Sequence, residues 1–411
     1  MPATIAGSRG GAIGLTSRPK MVEFALRLLA GTVPFSEFLE RTAASEKLQT
    51  LTLVTNYICN LNCSHCYLQV NRPTGTLLTA EEWLMLLDSV PELDPELVCL
   101  SGKEVFADRT GAAVLGQLDN LRCATGCRFR SGVITNGTLL APYRDAIVAA
   151  KPSYFDISLD GMETEHDALR GKGSFARSWP NVLWASRVFG DAFFVNLTLQ
   201  KHNVRRIREI LSGFSANGIA NVEIGFYIPT PYTDRTLSLS TEDLRGFFAN
   251  LDELRELRFD NPLRIHMDLD TLTLNPLLVF LRSRWFSPGS VVEDGKGELL
   301  VIHSFGNGLS LEIRLAPFPV GIWRSTRITP EGSYLAAEDT LDTRFYESRS
   351  LGNIRDHSFD LVKLHACAQK STRLRDMANE YYKSVLPLLR AAFDGNKAAA
   401  RDSRTRAQGA A

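Results

Sequence analysis

The sequence lacks the features that are typical of secreted, membrane and nucleic-acid-binding proteins. Lys and Arg together number 46, as do Asp and Glu, so no net charge favours nucleic acid or an anionic membrane surface. No apolar run is long enough to span a bilayer, and the start of the chain lacks the continuous apolar stretch of a signal peptide. The cysteines fit a reduced protein better than a disulfide framework, because three of the seven lie in one loop. We therefore expect a cytoplasmic protein that binds neither nucleic acid nor membranes.

A fourth cysteine is missing from the most distinctive segment of the chain. Cys59, Cys63 and Cys66 occur in one short loop, TNYICNLNCSHCYLQV, directly after a predicted strand, and no further cysteine follows nearby. Four thiolates would saturate a [4Fe–4S] cluster and make an electron carrier, whereas three leave one iron open to another ligand. We expect the chemistry of the protein at that open iron.

This cysteine loop also allows two other interpretations. A zinc site would use the same cysteines with His65, but structural zinc sites usually take two ligand pairs from separate elements, and no second pair is in view. Three buried structural cysteines fit poorly with a polar loop rich in Asn. The iron–sulfur interpretation is favoured over both.

Predicted strands and helices alternate after the cysteine loop begins. A buried strand at 51–55 precedes the loop, and a capping box at 79–82 opens a helix over 81–89. Further strands are predicted at 96–100, 130–135, 154–159, 193–199 and 222–228, with helices between them. This rhythm predicts an α/β fold, with a parallel sheet curled into a partial (β/α)6 barrel.

The remaining segments differ from this rhythm. Residues 1–48 are predicted to be a mobile leader followed by a helical N-terminal segment, and residues 49–260 form the partial barrel. Residues 261–394 are predicted to form a small α+β C-terminal domain with short strands near 299–303, 309–315 and 324–328, followed by a C-terminal helix. Residues 395–411, small and polar, are expected to be disordered.

The cysteine loop, with Tyr67 after its last cysteine, resembles the signature of the radical S-adenosylmethionine (radical SAM) enzymes. In that family the open iron binds the amino and carboxylate groups of S-adenosylmethionine. An electron from an external one-electron reductant such as flavodoxin or ferredoxin then breaks a C–S bond and gives a 5′-deoxyadenosyl radical. The resemblance implies one [4Fe–4S] cluster on Cys59, Cys63 and Cys66, S-adenosylmethionine as second cofactor, and Tyr67 beside it.

The resemblance continues in the turn Ser-Gly-Lys-Glu-Val after the second strand, which is similar to the family's Gly-Gly-Glu-Pro turn. It implies that Gly102 and Glu104 receive the amino group of the methionine. Lys103 and Val105 depart from the family pattern, and Lys103 is either a local ligand group or a solvated lysine of the turn.

A third stretch, from the end of the fourth strand onward, resembles the subgroup with SPASM-type C-terminal domains. It implies that Ser158 and Asp160 lie near the ribose hydroxyls and that Arg170 pairs with the methionine carboxylate, which needs a charged partner in a dry site. Asn196 and Thr198 alternate with apolar neighbours, so both should face the barrel interior and bind either the cofactor or the core. In the same stretch, His166 and Asp167 are interpreted as capping and turn residues.

The C-terminal third looks like a SPASM or twitch domain whose auxiliary-cluster cysteines are lost. Pro319 to Gly321 and Ala336 or Ala337 stand where ligands are expected, and Cys367 is the only cysteine there. One thiolate cannot hold a cubane, so a single cluster is predicted. Without an auxiliary electron acceptor, a redox-neutral outcome is favoured: epimerisation, rearrangement, elimination or addition.

An epimerisation would need a hydrogen donor, and a thiol has a weak enough S–H bond. Cys99, Cys123, Cys127 and Cys367 are the candidates, and each is also explained as a small apolar residue. Cys99 is preferred because it shares a strand face with Ser101 at the turn.

The predicted substrate is a small natural-product molecule, sugar-like or related, because residues 1–48 look helical rather than like a separate leader-binding domain. Modification of a ribosomally made peptide precursor is the alternative, and a non-catalytic iron–sulfur scaffold is the alternative of a different class. Four residues could line the barrel mouth: Tyr227, Tyr232, Arg282 and His303. Core or surface roles are favoured for each of them.

Overall fold

The computed structural model describes residues 27–34, 48–66, 68, 75–230, 233–257, 259, 261–270, 274–293, 299–316, 325–336, 350–372, 376 and 383–393. The predictions for Tyr67, Tyr232, Pro319 to Gly321, Ala337 and residues 395–411 lie outside these ranges, as do most of those for residues 1–48.

Twelve strands in the described part of the chain form one sheet. In chain order they are β1 Thr50–Val54, β2 Leu97–Ser101, β3 Arg130–Thr135, β4 Tyr154–Ser158, β5 Phe193–Leu199, β6 Asn221–Phe226, β7 Leu263–Asp270, β8 Val291–Glu293, β9 Leu299–Ser304, β10 Leu309–Ala316, β11 Ser325–Ile328 and β12 Tyr334–Ala336. Their spatial order is β12-β11-β1-β2-β3-β4-β5-β6-β7-β10-β9-β8, and β1 to β7 run parallel. The predicted α/β class with a curled parallel sheet is confirmed.

Helices follow the parallel strands and cover one side of the sheet. They are α1 Ala80–Leu87, α2 Val90–Leu93, α3 Thr110–Thr125, α4 Arg144–Ala150, α5 Glu163–Arg170, α6 Ser174–Phe189, α7 Ile207–Ala216, α8 Thr241–Glu253, α9 Leu274–Leu281 and α10 Leu361–Gln369. The predicted capping box opens α1, since Thr79 and Glu82 exchange side-chain and backbone hydrogen bonds. Among the described helices, none combines the length and the apolar composition needed to cross a bilayer.

The later strands extend both edges of the barrel sheet. β10 pairs in parallel with β7 at one edge, and β11 pairs in parallel with β1 at the other. β8, β9 and β12 then add antiparallel pairs. The division of the chain at residues 48, 260 and 394 stays a prediction, but the strands after residue 260 are hydrogen-bonded into the same sheet as β1 to β6.

β7 was missed in the sequence. Its residues, LRIHMDLD, alternate apolar and polar along the whole strand, and every second side chain is buried. That alternation was the available signal.

The alternation gives the sheet two different faces. Phe155 on β4 packs against the rings of Trp184 and Phe189 on α6, so its face is the one that the helices cover. Neighbouring residues on each strand point the other way. We call this second face the inner face; it carries Thr52, Cys99, Asp156, Asn196, Glu223, His266 and Arg327.

Candidate functional site

The three cysteines follow β1, at the carboxyl ends of the parallel strands. All three lie outside any disulfide; Cys63 is buried and the other two are half-buried. The loop folds on itself, since the backbone N–H of Cys66 donates to the carbonyl of Cys63 at 3.1 Å and that of Leu61 to the sulfur of Cys59 at 3.3 Å. In parallel sheets, ligands bind most often at the carboxyl ends of the strands.

Asn136, at the end of β3, fastens the loop to the sheet. Its amide nitrogen lies 3.0 Å from Asn60 Oδ1 and 3.7 Å from the sulfur of Cys59. Its Oδ1 accepts from the backbone N–H of Thr138 at 2.8 Å, and Thr138 Oγ1 accepts from Asn60 at 2.7 Å. Sequence analysis did not assign this anchoring role; the Thr-Asn-Gly turn after β3 was the signal.

The turn after β2 closes against the same part of the sheet. Gly102 has a φ of +143°, and a Cβ there would lie 3.1 Å from Val54 Cγ1, so the turn needs glycine. Glu104 is buried, and its carboxylate accepts hydrogen bonds from Thr135 Oγ1 at 2.6 Å and from the backbone N–H groups of Asn136 and Phe106 at 2.8 and 3.1 Å. Burial nevertheless raises the pKa of Glu104. Glu104 therefore joins the turn to the end of β3.

Asp160 and Arg170 form a buried ion pair beside the cysteine loop. Arg170 Nε donates to Asp160 Oδ2 at 2.6 Å, and the backbone N–H of Thr198 donates to Asp160 Oδ1 at 3.0 Å. Burial alone would raise the pKa of Asp160, but the charge and hydrogen bond of Arg170, together with the neighbouring histidines, outweigh burial and lower the pKa to about 2. The terminal nitrogens of Arg170 form no hydrogen bond with the described residues, so they remain available to a further anion.

His65 lies beside this ion pair. Its Nε2 lies 3.7 Å from Asp160 Oδ2, and burial lowers its pKa to about 4. Within the described ranges, no three His, Cys, Asp or Glu side chains converge closely enough to hold a single metal ion.

The turn after α5 is held as expected for Asp167. Its carboxylate accepts hydrogen bonds from the backbone N–H groups of Gly173 and Phe175 and from the hydroxyl of Ser174. His166 Nδ1 accepts from the backbone N–H of Asp160 at 3.3 Å.

Residues 53–214 match the model of the Radical SAM superfamily. This part of the chain is therefore similar to the radical SAM superfamily. The matched residues run from β1 to α7 and contain all three cysteines of the loop and the Asp160–Arg170 pair.

Several known proteins and solved structures resemble this chain. The sporulation killing factor maturation protein SkfB of Bacillus subtilis (strain 168) is 26% identical over 214 residues, 50% of this chain and 48% of that protein. Fe-coproporphyrin III synthase of Methanosarcina barkeri (strain Fusaro) is 30% identical over 251 residues, 56% and 58% of the two chains. The chain thus spans about half the length of these relatives. Streptococcus suis SuiB bound to S-adenosylmethionine shares the fold, with a TM-score of 0.54 and 17% identity over 73% of this chain and 63% of SuiB.

The cysteine loop has the donor chemistry that an iron–sulfur cluster needs. Three thiols outside any disulfide lie on this one loop, and N–H groups of Leu61 and Asn136 point at the sulfur of Cys59, as donors do around cluster sulfurs. Burial raises the pKa of the Cys63 thiol to about 12, and the nearby charge of Arg170 opposes that rise. Arg170 thus favours the thiolate form that binds iron.

The predicted cofactor residues on the inner face lie at this same edge. Ser158 and Asn196 are register partners on β4 and β5. The amide nitrogen of Asn196 donates to Asp156 Oδ2 at 3.0 Å. Asp156 was not among the residues predicted from the sequence. The contacts predicted for Gly102, Glu104, Ser158, Asp160, Arg170 and Asn196 with S-adenosylmethionine stay predictions.

The other predicted residues divide clearly. Cys99 is buried on the inner face, whereas Cys123 and Cys367 are exposed and Cys127 is half-buried. Tyr227 donates its hydroxyl to the carbonyl of Asp234. His303 contacts the carbonyl of Trp285, and Arg282 lines a cavity of about 510 Å³ between α8 and α9. These last three positions agree with core or surface roles.

Proposed function

We propose that the chain binds one [4Fe–4S] cluster through Cys59, Cys63 and Cys66 and S-adenosylmethionine at its open iron. When bound, these cofactors would supply reductive radical chemistry that removes a hydrogen atom from a substrate C–H bond. The observation that carries the proposal is the set of three thiols outside any disulfide on one loop, held at the end of the parallel strands within the segment that matches the radical SAM model. The electron comes from an external reductant such as flavodoxin or ferredoxin.

The chain's own residues orient the nucleotide and its amino acid part. The terminal nitrogens of Arg170 are available to the methionine carboxylate while Nε stays on Asp160. Gly102 allows the backbone to come close to the amino group, and Glu104 Oε2 accepts one hydrogen bond and has room for a second. Ser158 is the proposed contact for the ribose.

A redox-neutral outcome follows from the predicted single cluster. Cys99 is the proposed hydrogen donor for such a step, because it is the buried thiol on the inner face. Burial raises its pKa to about 12, so it stays a thiol that still carries its hydrogen atom at neutral pH.

The names of the relatives support both substrate classes. SkfB is a maturation protein of the sporulation killing factor, AlbA of the same species is a biosynthesis protein of the bacteriocin subtilosin, and SuiB has been crystallised with the precursor peptide SuiA. We therefore take a ribosomally made peptide precursor as the first candidate. A small molecule, which sequence analysis favoured, is the second candidate because of the similarity to Fe-coproporphyrin III synthase.

Electron paramagnetic resonance of the anaerobically reconstituted and reduced protein tests the cofactor proposal. We expect about four irons per chain and a spectrum that changes when S-adenosylmethionine is added, because the ligand enters the coordination sphere of the open iron. About eight irons per chain would contradict the single cluster. A spectrum that S-adenosylmethionine leaves unchanged would contradict the open iron.

A further inference from the structure

Two carboxylates of the inner face meet at one phenol. Tyr154 Oη lies 2.9 Å from Asp156 Oδ2 on its own strand and 2.7 Å from Glu223 Oε2 on β6. Asn196 on β5 donates to the same oxygen of Asp156 at 3.0 Å. Asp156 is fully buried, whereas Tyr154, Asn196 and Glu223 are half-buried. The group therefore spans three neighbouring strands and is reached from the inner face through Tyr154 and Glu223.

Two hydrogen bonds at the Tyr154 hydroxyl need two hydrogen atoms, and the phenol supplies only one of them. A phenol has one O–H and donates to one carboxylate only. The contact with the second carboxylate is a hydrogen bond only if that carboxyl carries a proton and donates it to the phenol oxygen. Asp156 and Glu223 thus share one proton across Tyr154. In agreement, burial and then the charge of Glu223 raise the pKa of Asp156.

Neither carboxylate of this pair forms an ion pair with a described residue, unlike other acids of the inner face. Asp268 pairs with Arg314, and Glu312 lies 3.8 Å from His266. Asp156 Oδ1 is buried and accepts no hydrogen bond in the described part of the chain. A buried carboxylate without a paired cation is costly, so the shared proton stands in for a cation that the described residues do not supply.

The pair lies next to the proposed site of reaction. Asp156 precedes Ser158 by two residues on the same face of β4, which places their Cα atoms about 7 Å apart. Burial, then the charge of Asp156, raises the pKa of Cys99, which shows that this thiol is close to the pair. A group bound at the pair is therefore adjacent to both the proposed cofactor edge and the proposed hydrogen donor.

We propose that Asp156, Tyr154 and Glu223 form a substrate subsite for a cationic nitrogen, an ammonium or guanidinium group, which replaces the shared proton. The inference rests on the proposed function, because it gives the substrate class for that same site. Charge-assisted hydrogen bonds from such a group satisfy both carboxylates and reach the unpartnered Asp156 Oδ1. A lysine or arginine side chain of a peptide and the amino group of a small molecule present the same chemistry.

Replacement of the proton makes binding depend on pH. While the pair holds its proton the cation must displace it, so affinity rises with pH until the pair is ionised and then levels off. The titratable and charged groups that face the pair from neighbouring elements are Cys99, Arg170, His266, Asp268 and Arg314. Arg170 and Arg314 favour the ionised pair, whereas Asp268 favours the protonated one.

Calorimetric titration of the reconstituted full chain with methylguanidinium and with methylurea tests the proposal. The two probes have the same shape and differ in charge. We expect methylguanidinium to bind at least about tenfold more tightly, to release a proton at about pH 6, and to bind more tightly at about pH 9. Asp156→Asn and Glu223→Gln each remove the preference. Glu312→Gln, which removes a charge from the same face, is the control and keeps it.

Equal affinity for the two probes, no binding of either, or an unchanged preference in Asp156→Asn overturns the proposal. If the variants do not fold, infrared spectroscopy of the wild type decides: a carboxylic-acid carbonyl band that methylguanidinium removes and methylurea does not supports the subsite, and any other result overturns it. A blocked lysine tripeptide and glucosamine then distinguish a peptide from a small-molecule source. None of these titrations needs reductant or turnover, so their failure leaves cleavage of S-adenosylmethionine untouched, and the reverse also holds.

Discussion

At the scale of single residues, Asp160 forms hydrogen bonds with four other residues of the site. A contact with the ribose alone would not require them. Its carboxylate contacts Arg170 and the backbone of Thr198, its own N–H donates to His166, and its carbonyl accepts from Asn203. Asp160→Asn leaves Arg170 buried without its counter-charge, which costs about 3–5 kcal/mol of the free energy of unfolding. Chemical denaturation measures this loss.

The control for this prediction is a surface ion pair. Asp119→Asn breaks the contact with Arg122, half-buried on α3, and should cost no more than about 1 kcal/mol. Equal losses of unfolding free energy in the two variants would show that the Asp160–Arg170 pair stabilises the fold no more than the Asp119–Arg122 pair does.

The pH dependence of the Asp160 effect has a defined sign. The pKa of Asp160 is about 2 in the folded protein and 3.8 ordinarily, so the native state holds fewer protons than the unfolded state. The stabilisation is complete above a pH of about 4 and is lost as the pH falls towards about 2. The difference between wild type and Asp160→Asn should shrink over that range.

Cys99 is the second residue whose replacement is informative. Cys99→Ala removes the buried thiol of the inner face, and we expect loss of solvent deuterium incorporation into the product while 5′-deoxyadenosine still forms. Cys367→Ala, in an exposed position on α10, is the matched control. Normal deuterium incorporation in Cys99→Ala would end the donor role.

At the scale of elements, the turn after β2 depends on Gly102. An alanine there is strained at a φ of +143° and meets Val54, so Gly102→Ala should cost about 1–3 kcal/mol of stability and weaken binding of S-adenosylmethionine. Gly116→Ala lies inside α3, where an added Cβ contacts nothing within 4 Å, and should raise stability by about 1 kcal/mol. Denaturation midpoints that move in the same direction would contradict this account.

The elements were largely predictable from the sequence, and the contacts between them were not. The runs that became β1 to β6 are continuous or alternating and were predicted within a few residues. β7 has an equally clear pattern but was missed. Asn136 could be placed at a strand end, yet its hold on Asn60 depends on how two loops meet in space.

At the scale of the whole molecule, the segment after β11 supports the cysteine loop. Tyr57, in that loop, donates its hydroxyl to Glu331 Oε2 at 2.6 Å across 274 positions of the chain. Arg355 fixes this segment by donating to the carbonyl of Glu331 and to both carboxylate oxygens of Glu82 on α1. A pairing over such a distance in sequence, like that of Asp156 with Glu223, had no local signal.

Tyr57→Phe tests this support. Loss of a hydrogen bond to a charged group weakens the loop by about 1.5–3 kcal/mol, so iron should leave the reconstituted protein at least about tenfold faster in the presence of a chelator. Tyr143→Phe, which removes a weaker hydroxyl contact to Asp108, is the control and should lose iron at the wild-type rate. Identical rates in Tyr57→Phe and wild type would show that the loop does not need Glu331.

The proposed reductive cleavage of S-adenosylmethionine would depend on a cluster held by Cys59, Cys63 and Cys66. The most direct test of this proposal is the formation of 5′-deoxyadenosine by the anaerobically reconstituted protein with and without a reductant. We expect formation that depends on the reductant and is abolished by Cys63→Ala. No 5′-deoxyadenosine from protein that holds about four irons per chain, with candidate peptides and small molecules present, would contradict the claim and favour a non-catalytic scaffold.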